Sequence, residues 1–189
     1  MEQRNDSAMN EGGQQAAGGA SMVALDTRHD DNINDCQFDY YGTSLASVDS
    51  NGFLEISTLK NGVHETETSF PAHHGPIWQV AWAHPKYDSV IATGGYDGYV
   101  KVWQRDSNGV WDGENGCEVQ RLPSSVNCLA WAPWEYGLIL AVGTAEGRLT
   151  VYQREKDGTW PVLKAIIAHE EGVNGISWGP ATEPAILSQ

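Results

Sequence analysis

Cysteine is scarce in this chain, with three in 189 residues. Cys36, Cys117 and Cys128 are odd in number and form no Cys-x-x-Cys pair, which excludes a disulfide framework and suits a reducing compartment. Positive charge is scarce too: 11 Lys and Arg stand against 25 Asp and Glu, for a net charge of -14. Such a chain lacks the broad positive field that grips phosphate backbones or anionic lipid, so nucleic acid is excluded as a primary ligand. No apolar run exceeds five residues, as in Leu138 to Val142, far short of the roughly 20 that a membrane span needs. The first 21 residues also lack the apolar centre of a secretory signal. These absences predict a soluble protein of the cytosol or nucleus.

Catalytic signatures are missing as well. The sequence holds no G-x-S-x-G, no P-loop and no Cys-His pairing. His64, His74 and His84 have no carboxylate or cysteine partner at metal-ligand spacing. The expectation is therefore no enzyme, no catalytic residue, no metal and no cofactor.

What is present is core material and repetition. Hydrophobic residues make up 40% of the chain, with eight Trp and seven Tyr, enough apolar surface to rule out global disorder. Residues 1–21 are rich in Gly, Gln, Ala and Asn without a hydrophobic period, and are read as a disordered tail. From about residue 22 the chain repeats. The pattern His29-x-x-x-Ile33 returns as His73-x-x-x-Ile77, Leu122-x-x-x-Val126 and His169-x-x-x-Val173, each followed five residues later by Phe38, Trp82, Trp131 or Trp178. Those aromatics are 44, 49 and 47 residues apart. A second landmark opens a β-rich stretch: Asn51-Gly52, Asp97-Gly98 and Glu146-Gly147. A third is an Asn-Gly or Asp-Gly at 61–62, 108–109 and 157–158, dipeptides that favour the two positive-φ positions of a type I′ hairpin.

Each unit thus contains about four short strands, and no stretch carries a long 3.6-residue period. Units of roughly 40 to 45 residues with four strands are the signature of β-propeller blades. The sequence predicts an all-β fold over residues 22–189, a partial propeller with repeats at about 22–70, 71–120, 121–167 and 168–189. Three are four-stranded blades; the last is the start of a fourth, whose first strand is placed at Val173 to Trp178.

The His, the Asp-Gly turn and the closing Trp resemble the WD-repeat family, in which a buried set of His, Ser or Thr, Asp and Trp ties each blade together. Repeat two matches best, through His73, Thr93, Asp97 and Trp103, which the resemblance implies form a structural tetrad. Repeat three carries Leu122 for the His and Glu146 for the Asp, so its polar set must be incomplete. The stretches Trp78-Gln-Val-Ala-Trp82-Ala-His-Pro85, Phe38-Asp-Tyr-Tyr-Gly42 and Leu129-Ala-Trp-Ala-Pro133 with Tyr136-Gly-Leu-Ile-Leu140 are similar to one branch, the Sec-thirteen family.

That resemblance implies a non-enzymatic scaffold: the propeller subunit of the COPII vesicle coat, in ER-to-Golgi protein transport, shared with the scaffold of the nuclear pore. It implies a six-bladed propeller left open, and a protein partner, a large α-solenoid coat subunit or nucleoporin, that donates a blade. It also implies a cytoplasmic location, peripheral on endoplasmic reticulum membrane and COPII vesicles, and at the nuclear pore. Against that pattern only about half a propeller is represented, and the chain reads as a fragment or shortened form. The alternative is a WD-repeat adaptor that presents a peptide-binding face in a ligase or signalling complex.

Recurrence separates architecture from function. His29, His73 and His169 fall at one repeat position, as a unique active site would not, and are assigned to the blades. Trp82, Trp131 and Trp178 recur and are expected in the core. Trp78 and Trp134 do not recur, since Asn34 and Asn127 occupy the place of Trp78, so these two are the candidates for a partner surface.

Overall fold

The computed structural model describes residues 25, 27–111, 113 and 116–181. The expected tail at 1–21 lies outside the described residues. Twelve strands follow one another among them: β1 (Ile33–Phe38), β2 (Ser44–Asp49), β3 (Phe53–Lys60), β4 (Val63–Pro71), β5 (Ile77–Trp82), β6 (Val90–Gly95), β7 (Tyr99–Gln104), β8 (Cys117–Arg121), β9 (Val126–Trp131), β10 (Ile139–Thr144), β11 (Arg148–Gln153) and β12 (Val162–Ile167). They form three four-stranded antiparallel meanders, β1–β4, β5–β8 and β9–β12, the blades of a partial WD propeller.

The second strand of each blade shows why the pattern reads as it does. Every residue of β2, β6 and β10 is buried, because both faces of the sheet are covered there. Such strands cannot alternate apolar with polar, and VIATGG and ILAVGT are uniformly apolar or small. Two apolar clusters join the blades in pairs. One gathers Ala46, Val48, Leu54, Ile56 and Phe70 of the first blade with Ile77, Val80, Ile91 and Trp103 of the second. The other joins Val90, Ala92, Val100 and Val102 to Val126, Leu129, Leu140, Val142 and Tyr152 of the third. Gly94 and Gly143 sit where side chains of the next unit press on the sheet: a Cβ on Gly94 would clash with Val126 Cγ1, and one on Gly143 would lie 2.6 Å from Val173 Cγ1.

The turns depart from expectation. Only Asn61-Gly62 has positive φ at both residues, 53° and 81°, and makes a two-residue hairpin between Lys60 and Val63. At 97–98, 108–109, 146–147 and 157–158 the glycine alone is left-handed. There the acidic side chains stabilise a right-handed turn instead: Asp106 Oδ1 accepts from the Asn108 and Val110 amides, and Asp157 Oδ1 from the Thr159 amide. The 108–109 turn also does not deliver the fourth strand directly. Trp111 returns to make a single bridge with Arg105, and β8 begins only at Cys117.

A further difference concerns Val173 to Trp178, which forms no strand. Its backbone is anchored to the third blade by one amide, Val173 N to Thr144 O at 2.9 Å. A ladder needs a partner, and among the described residues none lies beside this segment.

Gly98 and Gly109 share a φ of 79° but differ in space: a Cβ on Gly98 would sit 2.4 Å from Leu122 O, whereas Gly109 is open. Gly109→Ala should cost only the left-handed penalty, about 1 kcal/mol, while Gly98→Ala adds overpacking and should cost roughly 3 kcal/mol. Urea melts of the two variants read the difference, and equal costs would contradict the packing described.

Candidate functional site: the polar sets and the inner edges

Blade two brings its four implied residues together. His73 Nε2 meets Thr93 Oγ1 at 2.8 Å, and the Trp103 indole N–H donates to the same oxygen at 2.9 Å. His73 Nδ1 faces Asp97 Oδ1 at 2.9 Å. Asp97 also accepts the backbone amides of His74 and Tyr99, which closes the turn between β6 and β7. Burial alone would raise the Asp97 pKa. The bond to His73, the charge of that ring and the two amides outweigh it and hold the carboxyl at about 2, down from 3.8.

Blade one builds a similar set from an unexpected place. His29 Nε2 meets Ser47 Oγ at 2.8 Å, and its Nδ1 meets Asp49 Oδ2 at 2.8 Å. The acid is Asp49 at the end of β2, not Asn51 at the Asn-Gly landmark. Asp49 Oδ1 reaches over the turn to accept the Asn51 and Phe53 amides. A carboxylate two residues earlier does the work of Asp97, a shift that residue-by-residue alignment hides. No Trp completes this set, since Ser57 stands opposite Leu45 where Trp103 stands opposite Ile91.

Blade three has Leu122, Val142, Glu146 and Tyr152 at the four positions, and Glu146 is exposed. Apolar contact replaces the polar set. Tyr152 lies in the shared cluster, where burial raises its phenol pKa.

A second arrangement, not legible at first reading, runs along the first strand of each blade. These innermost strands have a free edge whose amides point away from the sheet. In blades two and three, side chains of the preceding blade satisfy three of them. Asp35 Oδ2 accepts the Val80 amide at 3.0 Å, Gln37 Oε1 accepts the Trp82 amide, 2.6 Å away, and Gln79 Oε1 accepts the Leu129 amide at 2.7 Å. Asp35 and Gln79 occupy one repeat position, 44 residues apart, which was the available signal.

The recurring tryptophans belong to this seam. Trp82, Trp131 and Trp178 donate their indole N–H to Gln37 O, Ala81 O and Ala130 O at 2.9, 3.0 and 3.0 Å, again one repeat back. The expectation of core burial is corrected accordingly: Trp82 and Trp131 are half-buried and Trp178 is exposed, because an indole that must reach a carbonyl across the seam keeps one face outside the sheets.

Trp78 joins the same seam, its indole N–H donating to Ser125 Oγ at 3.0 Å, as the amide of Asn34 donates to Ile77 O at 2.9 Å. Trp134 lies at the other end of the blades, on a 3-10 turn at Trp134–Tyr136, stacked on His84 with ring centroids 5.5 Å apart. The two indoles, both partly exposed, therefore share no surface. Among the described residues, no group of three His, Cys, Asp or Glu side chains could hold a metal ion.

Comparison with known proteins agrees with this architecture. Residues 64–104 match the family model described as WD domain, G-beta repeat. The chain is 34% identical over 176 residues to "Protein transport protein sec13" of Emericella nidulans, covering 89% of this chain and 56% of that protein. It is 41% identical over 90 residues to the protein of the same name from Schizosaccharomyces pombe, covering 48% of this chain and 30% of the relative. It is 39% identical over 88 residues to "Protein transport protein SEC13 homolog A" of Arabidopsis thaliana. The chain belongs to the Sec-thirteen family of WD-repeat proteins. Across these alignments it spans 29% to 56% of the relatives' length. Membership accounts for the blade pattern.

Asp97→Ala should destabilise the chain by about 1 to 3 kcal/mol by stranding His73 and two amides, whereas Glu146→Ala should be near neutral. The pH dependence carries a sign. Because the folded carboxyl titrates below its ordinary 3.8, its contribution is fully present above that value and is lost as pH falls toward about 2. Urea midpoints of wild type and Asp97→Asn should therefore converge between pH 3.8 and 2; a constant gap would contradict the assignment.

Proposed function

We propose that the chain is the propeller portion of a non-enzymatic protein-transport scaffold, one that couples to a large α-solenoid subunit of a vesicle coat or of the nuclear pore. The observation that carries this reading is the seam of side-chain bonds between blades. Asp35, Gln37 and Gln79 fill the inner edges with fixed hydrogen bonds, so adjacent blades resist sliding. A part whose task is mechanical needs that stiffness more than it needs a cleft with perturbed titratable groups. The names of the relatives, all protein transport proteins, support the same direction.

In this reading the partner's donated strands extend the radial array of blades, and the face each blade presents to its neighbour is the surface they meet. His73 and Asp97 are structural here, holding the turn that sets the blade's outer strands. The cytoplasmic face of the endoplasmic reticulum and the nuclear pore are the proposed sites of action.

Co-expression with a coat α-solenoid subunit from the same source, followed by size-exclusion chromatography with light scattering, tests it. A stoichiometric complex that survives moderate salt is expected. Failure to co-elute at micromolar concentration, together with saturable capture of a short peptide, would overturn the scaffold reading in favour of the adaptor.

A further inference from the structure

The loops joining the first and second strands of the first two blades meet at one end of the array and carry an unusual load of aromatic surface. Tyr40 and Tyr41 are 70% and 69% exposed, and the hydroxyls of both are free of protein partners among the described residues. Their rings meet edge to face at 5.2 Å, and Tyr40 also packs on His84 at 5.3 Å. Two adjacent tyrosines held in place while most of their surface faces water are poorly explained by folding.

Between these loops lies a cavity of ≈ 240 Å³ walled by Tyr40, Tyr41 and Trp82, with Asp39 and Asp88 among its lining residues and no cation. That is below the about 300 Å³ at which small-molecule pockets begin, and is a size suited to one side chain. Asp39 is partly occupied, accepting from the Thr43 and Ser44 amides and the Thr43 hydroxyl. The Asp88 carboxylate is exposed and makes no hydrogen bond or ion pair among the described residues. The nearest cation on the same loop, Lys86, is turned away, its Nζ 4.2 Å from the Trp134 ring centroid.

Asp88 also stands out by its backbone. Among the described residues it is one of two non-glycines with positive φ, at 64°, whereas Gly42 and Gly137 hold the corresponding places in the other two blades at 69° and 103°. Glycine would serve the turn without strain. Among the described residues this is the one carboxylate held at positive φ, with ψ at -158°, and it stands beside the aromatic walls.

We propose that this pocket is a recognition site for an arginine side chain on a protein partner. A guanidinium stacks on tyrosine and indole faces while its fork pairs with a carboxylate, and the pocket offers both at once. The chain's net charge of -14 favours approach of a basic segment. The site sits at the outer end of the seam between the first two blades, with Trp82 as a shared wall, and does not depend on the scaffold reading.

Fluorescence anisotropy on the full chain tests it with a labelled peptide of alternating alanine and arginine, and with the same peptide carrying citrulline for arginine. Saturable binding of the arginine peptide is expected, with loss of about tenfold or more in affinity on the citrulline peptide and in Asp88→Asn and Tyr41→Ala. Asparagine is isosteric with aspartate, so Asp88→Asn keeps the native side-chain shape at the turn while removing the charge, and Asp88→Gly should lose binding while melting no lower than wild type. Glu118→Gln removes one charge from an exposed strand elsewhere and should leave binding unchanged. Equal weakening by Asp88→Asn and Glu118→Gln would show attraction to overall charge only, and would overturn the proposal. So would equal binding of the citrulline peptide, or no saturation by the arginine peptide.

Discussion

The inner edge of each sheet is the constraint on which the rest depends. A blade's first strand has a neighbour on one side only, and the amides on its other side point into the space between blades. Left bare, each such amide would cost a lost hydrogen bond, about 1 to 3 kcal/mol where water is excluded. Asp35, Gln37 and Gln79 remove that cost with side-chain oxygens from the blade before, and Trp82, Trp131 and Trp178 return N–H groups to carbonyls one repeat back. Because donor and acceptor lie in different repeats, each bond fixes an angle between blades as well as satisfying a group. The apolar clusters supply the larger share of free energy, but they are tolerant of sliding; the directed bonds are not.

Within a blade the polar sets play a different part. His73 and Asp97 in blade two, and His29 and Asp49 in blade one, tie the loop entering the blade to the turn between its middle strands. Blade three does without, and places Tyr152 in the shared apolar cluster instead. A backbone bond does a parallel job in all three: the Ser50, Tyr96 and Ala145 amides of the middle turns donate to Asn32 O, Pro76 O and Ser125 O of the incoming loops. The turn and the incoming loop are thus in backbone contact whether or not a histidine joins them, which explains how one blade can lose the polar set and keep its shape.

Much of this was legible in the sequence, for physical reasons. The apolar or small runs at β6 and β10 follow from burial on both faces, and the Asn61-Gly62 hairpin follows from its two positive φ values. The tetrad of blade two was implied by the resemblance of its His, Asp-Gly and Trp to the WD-repeat family. Other features were hidden because they depend on distance across blades. Asp49 replaces an acid two positions later, and only the fold shows that its carboxylate reaches the Phe53 amide as Asp97 reaches that of Tyr99. The recurring tryptophans read as core because repetition marks structure without saying which part of the side chain is used. Val173 to Trp178 carries strand residues yet forms no strand, since a strand is defined by a neighbour and not by its own sequence. The aromatic pocket beside Asp88 was invisible for the opposite reason: Tyr40 and Asp88 do not recur, and the walls come together only where two loops of different length meet.

The central claim is that the blades are locked to one another by side chains bonded to inner-edge amides. Native-state hydrogen exchange at Val80, Trp82 and Leu129 tests it most directly, because those amides face away from their own sheet's ladder and are bonded to Asp35, Gln37 and Gln79. If the seam is rigid, the three should exchange as slowly as ladder amides of β6 and β10, opening only with the fold as a whole. Rapid exchange at these three positions, with the ladders still protected, would show that the blades move independently and would contradict the account.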